Sequence, residues 1–249
     1  MQKVAMISGA SRGIGREITE ELARRGYLLS LGVRSPAGLY GHLDSLVFPY
    51  EARNPEAGRR WVDATVERFG RIDVLISNAG IQIISAIVDF KYEDWKKLMA
   101  IHADGAFLTT RAAMRAMIKQ GKGGSIIYMG SVHSHEASPL KSAYVTAKHG
   151  LIGLAKTVAK EGAKDRIRAN VICPGFVRTP LVEKQIPEQA KALGISEADV
   201  VKNVMLKDTV DGEFTTVQDV AELAVFLAAF PTNALTGQSI TVSHGWHMQ

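Results

Sequence analysis

Apolar residues in this chain form two alternating kinds of run. Short unbroken runs stand at 4–8, 27–33, 46–49, 74–77, 125–130, 167–173 and 239–242. Between them, apolar positions recur at helical spacing over 13–25, 56–69, 95–119, 144–163 and 217–229. Unbroken apolar runs predict strands buried on both faces. Their alternation with helices predicts a parallel sheet, helices on both of its faces and right-handed crossovers. The stretch 179–216 breaks the alternation. There Pro180, Pro187, Gly194 and Gly212 interrupt apolar helical pieces, which predicts a lid inside a single domain spanning 1–249.

Composition narrows the class. With 46% hydrophobic and 22% charged residues, 249 residues suffice to bury a core. The apolar stretch Val4-Ala5-Met6-Ile7 is too short for a secretory leader. No apolar run approaches the roughly 18 residues of a membrane helix. A cytoplasmic protein without a membrane partner is expected. The single cysteine, Cys173, excludes an internal disulfide and a cysteine metal cluster, and no metal is expected. The net charge of +5 comes from basic residues interspersed with acidic ones. That pattern argues against a nucleic-acid partner and suits small anionic ligands.

The first strand runs into Ser8-Gly9-Ala10-Ser11-Arg12-Gly13-Ile14-Gly15 and then a helix. Glycines there allow a tight turn and close approach of backbone to a pyrophosphate, and the helix N-terminus offers free N–H groups. This is the start of a Rossmann-type doubly wound fold, here with seven strands. An acidic residue at the end of strand two would favour an unphosphorylated adenosine ribose. Gly32-Val33-Arg34-Ser35 has none, and Arg34 with Arg12 could clamp a 2′-phosphate. These residues lean to NADP over NAD.

Tyr144 and Lys148 stand at i, i+4, on one helix face. A neighbouring ammonium favours the phenolate of a tyrosine that is otherwise a poor base. Ser131, at the end of strand five, can hydrogen-bond a substrate oxygen. His133, Lys141, Gln82 and Gln185 lie near these positions in the chain. Together they would surround the hydroxyl with donors suited to a small carboxylate, His133 sharing a side with Ser131 on an extended segment.

The Gly-x3-Gly-x-Gly loop, Asn78-Ala79-Gly80, Ser131, Tyr144-x3-Lys148 and Pro174-Gly175 with Thr179 resemble the short-chain dehydrogenase/reductase family over essentially the whole chain. The resemblance implies that Asn78 braces the sheet, and that Val177 backbone and the Thr179 hydroxyl hold the nicotinamide carboxamide. It also implies that Lys148 holds the nicotinamide ribose. His102 stands where the family has an asparagine of its proton relay. From Asn78 onward the chain resembles the bacterial D-3-hydroxybutyrate dehydrogenase branch. In that branch the residues matching Gln82, His133, Lys141 and Gln185 grip the carboxylate, NAD is preferred, and the C-terminus, here Gly245-Trp246 near Gln249, packs across a homotetramer interface. The expected activity is oxidation of (R)-3-hydroxybutyrate to acetoacetate. The alternative is an NADP-dependent reductase of another carbonyl, a 3-oxoacyl thioester, sugar or cyclic ketone. A non-catalytic dinucleotide sensor would predict a broken Tyr/Lys pair, and the pair is intact.

Overall fold

Each unbroken apolar run becomes a strand, buried on both faces at the centre of the sheet and only partly buried at its two edges. In the computed structural model, which describes residues 2–248, seven parallel strands form one sheet. They are β1 (Val4–Ser8), β2 (Leu28–Val33), β3 (Ser45–Pro49), β4 (Val74–Ser77), β5 (Gly124–Met129), β6 (Ile167–Pro174) and β7 (Ser239–Val242). The order across the sheet is β3-β2-β1-β4-β5-β6-β7. Every residue of β1 and β6 is buried, the latter including Cys173.

Two apolar layers sandwich the sheet. On one side α1 (Gly13–Arg24) and α8 (Val217–Ala229) cover Ile7, Leu31 and Ile172. On the other, α2 (Ala57–Phe69), α4 (Gly105–Gln120) and α5 (Ser142–Gly162) cover Met6, Tyr128 and Val171. The predicted helix over 95–119 is two helices, α3 (Tyr92–Met99) and α4, joined by a π-helical turn at Ala100–Asp104. A π turn inserts a residue and turns a side chain out of register. Here that residue is His102. Within 179–216 stand α6 (Pro180–Leu193), the short α7 (Glu197–Asp199) and a second π turn, Val200–Met205. They have a small apolar cluster of their own around Phe176, Val182, Ile186 and Met205.

The chain leaves β1 in one direction as far as β3, then returns to β4 on the other side of β1. The crevice beyond the C-terminal ends of β1 and β4 is the switch point where such sheets take ligands. Among the described residues no helix is long and apolar enough to cross a membrane. Gln249, which the resemblance places near an interface, lies outside the described residues.

Candidate active site

At the switch point, β1 and β4 are stitched together by their own ends. Ser8 Oγ accepts from the backbone N–H groups of Asn78 and Ala79 at 3.0 Å, and Asn78 Nδ2 donates to the Ser8 carbonyl at 3.0 Å. The brace leaves no space for a side chain at Gly9 or Gly15. A Cβ on Gly15 would stand 2.3 Å from the Gly9 carbonyl oxygen. Helix α1 begins with no side-chain cap and no acidic residue in its first turn. Its free N–H groups and positive dipole end suit a pyrophosphate. The cradle therefore fits a dinucleotide, and Ser11, Arg12, Gly13 and Ile14 line it.

One cavity of about 430 Å³ runs from this cradle to Trp246. Its outer end is lined by Arg34 and by Glu51, Ala52 and Arg53, which follow β3. Arg53 is held by Glu51, with Nε 3.2 Å from Oε1. That guanidinium, through its hydrogen bond, lowers the Glu51 pKa. Arg12 and Arg34 are exposed and make no ion pair among the described residues. Glu51 and Arg53 escaped the sequence reading, although the end of a strand next to β2 was a place to look.

The middle of the cavity holds Ser131, Tyr144 and Lys148. Helix α5 carries Tyr144 and Lys148 on one face, with Lys148 Nζ 5.3 Å from the Tyr144 ring centroid. Lys148 Nζ donates to the Met129 carbonyl at the end of β5. Burial lowers the Lys148 pKa to about 8. Burial also pushes the Tyr144 phenol up to about 12, against a hydrogen bond with Ser131 that lowers it. Alone in this site the phenol is a proton donor, and it needs added positive charge to act as a base.

His102 sits beneath this group. Its ring meets Tyr144 edge-on at 5.5 Å. Its Nε2 donates to the Ile81 carbonyl at 2.8 Å. It packs so closely that a Cβ on Gly80 would lie 2.5 Å from Cε1. Burial, then the Lys148 charge, lowers its pKa to about 3, so the imidazole is neutral. The π turn is what aims it at the Asn78-Ala79-Gly80 loop.

Ser131 and His133 do not stand on an extended segment. Ser131 N-caps a 3-10 turn, Val132–Ser134, in a capping box with Ser134. The cap satisfies N–H groups that an extended chain here would leave buried and unpaired. The turn still brings the two side chains together, with Ser131 Oγ 3.3 Å from His133 Nδ1. His133 Nε2 lies 2.8 Å from Ser138 Oγ and 3.5 Å from Lys141 Nζ. An ammonium only donates, so we assign Nε2 as acceptor and the proton to Nδ1, facing Ser131. Ser131 then accepts from His133 and keeps its own O–H free to donate.

Lys141 is 3% exposed, and Phe176 faces its Nζ at 4.7 Å from the ring centroid. No carboxylate among the described residues lies within ion-pair distance of it, and burial alone lowers its pKa to about 8. Gln82 and Gln185 are buried in the same cavity; Gln185, on α6, donates to the Leu181 carbonyl at 3.2 Å. Thr179 lines the cavity as the N-cap of α6, and Val177 pairs with Thr215 in an isolated bridge. Pro174 and Gly175 line it beside them. Phe176 and Trp246 close its inner end, stacked at 5.0 Å and 7°. They are 70 residues apart in the chain (246 − 176), and no local pattern pairs them.

The chain is similar to known proteins over its whole length. A family model described as enoyl-(acyl carrier protein) reductase matches residues 9–247. A protein of Rhizobium meliloti (strain 1021) named D-beta-hydroxybutyrate dehydrogenase is 40% identical, with 100% of both chains covered. A protein of the same name from Cupriavidus necator is 35% identical over 99% of this chain and 98% of that one. A crystal structure of a short-chain type dehydrogenase/reductase from Mycobacterium marinum superposes with a TM-score of 0.86 at 29% identity, covering 98% of this chain and 95% of that one.

Proposed function

Because this chain belongs to the short-chain dehydrogenase/reductase family, and so uses NAD(H) or NADP(H), we propose that it oxidises (R)-3-hydroxybutyrate to acetoacetate. The observation that carries the substrate is Lys141, a buried ammonium with no carboxylate partner, in the same cavity as the Ser131–Tyr144–Lys148 set. An uncompensated buried charge is costly. A substrate carboxylate relieves that cost, and neutral His133, Gln82 and Gln185 orient it. That places the 3-hydroxyl toward Ser131 and Tyr144.

Ser131 donates to the substrate oxygen, while Tyr144 takes the hydroxyl proton. A bound oxidised nicotinamide would supply the acceptor for the C3 hydride and a positive charge that favours the Tyr144 phenolate, and the Val177 backbone and Thr179 hydroxyl would hold its carboxamide. Lys148 adds charge 5.3 Å from the centre of the phenol ring and would hold the nicotinamide ribose. His102 holds the loop that follows β4 instead of passing protons, in keeping with its neutral ring and the Nε2 hydrogen bond to the Ile81 carbonyl. Segment 179–216 serves as the lid, with Leu181, Val182 and Ile186 excluding water.

NADP is the preferred cofactor in this reading, because Arg12 and Arg34 make no ion pair among the described residues and no acid ends β2. The protein assembles as a homotetramer, which sedimentation would test. A hydride-transfer assay with both enantiomers of 3-hydroxybutyrate, at matched NAD and NADP, tests the whole. Turnover of the (R) acid is expected. No turnover of either enantiomer with either cofactor removes the reading.

A reductase of acyl thioesters is the second reading. The description of the matching family model favours it, as do Lys97 and Lys184 at the cavity mouth, which suit a phosphate-bearing carrier arm. It leaves Lys141 without an anion.

A further inference from the structure

Strand β7 ends at Val242, and the next few residues fold back over the cavity. The reversal uses two successive residues in the left-handed region, His244 (φ 50) and Gly245 (φ 72). Glycine accepts that conformation; a histidine does so only when its surroundings hold it there. The surroundings do. His244 Nδ1 donates to the Asp211 carboxylate at 2.6 Å, and the His244 carbonyl accepts from Val210 N–H at 2.9 Å. Three residues on, His247 Nδ1 donates to Glu136 Oε1 at 2.6 Å, and its ring stacks on His135 at 4.8 Å and 15°.

The two pairs run to different places. Asp211 belongs to the far end of the 179–216 segment. Glu136 follows the turn that carries Ser131 and His133. Between the two anchors Trp246 lies flat on Phe176 and edge-on to His133 at 5.4 Å. It is the inner wall of the cavity, beyond the ring that faces Lys141 and Ser131.

We propose that His244–Asp211 and His247–Glu136 are paired tethers that position Trp246 as the end wall of the substrate cavity, and so limit the length of the hydroxy acid accepted. The four residues are positioning residues; they act through Trp246 and touch no reacting atom. The proposal rests on the hydroxy-acid reading. Two anchors on opposite sides of one side chain remove the hinge that a single anchor would leave.

The test uses the full chain with Asp211→Asn, Glu136→Gln and His247→Gln, alone and with Trp246→Ala. With either tether weakened, kcat for 3-hydroxybutyrate is expected to stay within about twofold. Discrimination against 3-hydroxyhexanoate should fall by about tenfold, the scale on which an apolar pocket distinguishes small changes in chain length. Trp246→Ala should give the same loss, and adding His247→Gln to it should change nothing further. Unchanged discrimination, or a further loss on the Trp246→Ala background, overturns the proposal. Acrylamide quenching needs no substrate. The part of the emission that Trp246→Phe removes should become more quenchable in each tether variant, and equal quenching overturns the tethers even if 3-hydroxybutyrate is turned over. Conversely, greater quenching with no turnover of either acid supports the tethers and removes the substrate reading alone.

Discussion

The two ends of the cavity handle positive charge in opposite ways. At the substrate end, Lys141 and Lys148 are buried, and burial draws each down to about 8. At the adenosine end, Arg12, Arg34 and Arg53 stand in solvent. A buried ammonium pays a desolvation cost that only a matching anion removes, so it discriminates strongly. An exposed guanidinium is already solvated, so its preference for phosphate is modest and falls with salt. Substrate choice should therefore be harder to change by mutation than cofactor choice.

The comparison can be broken first at Tyr144. Tyr144→Phe keeps the ring and its contacts and removes only the hydroxyl. Turnover is expected to fall by about 10²–10⁴-fold in steady-state assays, with substrate binding little changed. A small loss would mean that another group moves the proton. Next is Lys141→Ala, expected to raise KM for the hydroxy acid by roughly 30-fold or more, the scale for losing one partner of a buried charge pair. An uncharged secondary alcohol should be nearly indifferent. Equal effects on both would take Lys141 out of the carboxylate role.

A pH titration sharpens the same point. Lys141 is an ammonium below about 8 and a neutral amine above it. Since kcat/KM reports the free enzyme, the preference for the acid over an uncharged alcohol should be full at lower pH and decline as pH rises through that value. Taking the ratio cancels the ionisations of Tyr144 and Lys148 common to both substrates. A ratio that is flat with pH would show that charge at Lys141 does not select the acid.

The smallest effect belongs to the exposed end. Arg34→Asp should shift the preference from NADP towards NAD by about tenfold, and added salt should shrink the difference between the two cofactors in the unsubstituted enzyme. An NADP preference unmoved by the substitution would show that the arginine does not read the 2′-phosphate.

Much of this was legible along the chain. Strand and helix positions follow from apolar period, because a strand buried on both faces must be apolar throughout. The glycine loop and the Tyr144–Lys148 spacing are local, and a local pattern survives in one dimension. The failures were also physical. The run over 95–119 looks like one helix because a π turn keeps the apolar period almost intact while rotating His102 out of it. The segment after Ser131 looks extended, but its capping box is a short-range hydrogen-bond choice that Ser131 and Ser134 make only once both are buried.

The sequence by itself determined the sheet, the cradle and the set of groups available for chemistry, since each depends on neighbours three or four residues apart or on an unbroken apolar run. Only the tertiary structure decided which of those groups meet. Burial strips Lys141 of water and leaves it without a carboxylate partner among the described residues, and the switch in strand order brings Asn78 onto Ser8. The chain reversal at His244 and Gly245 lays Trp246 on Phe176. Desolvation and long-range contact are properties of the packed molecule, and no spacing along the chain encodes them.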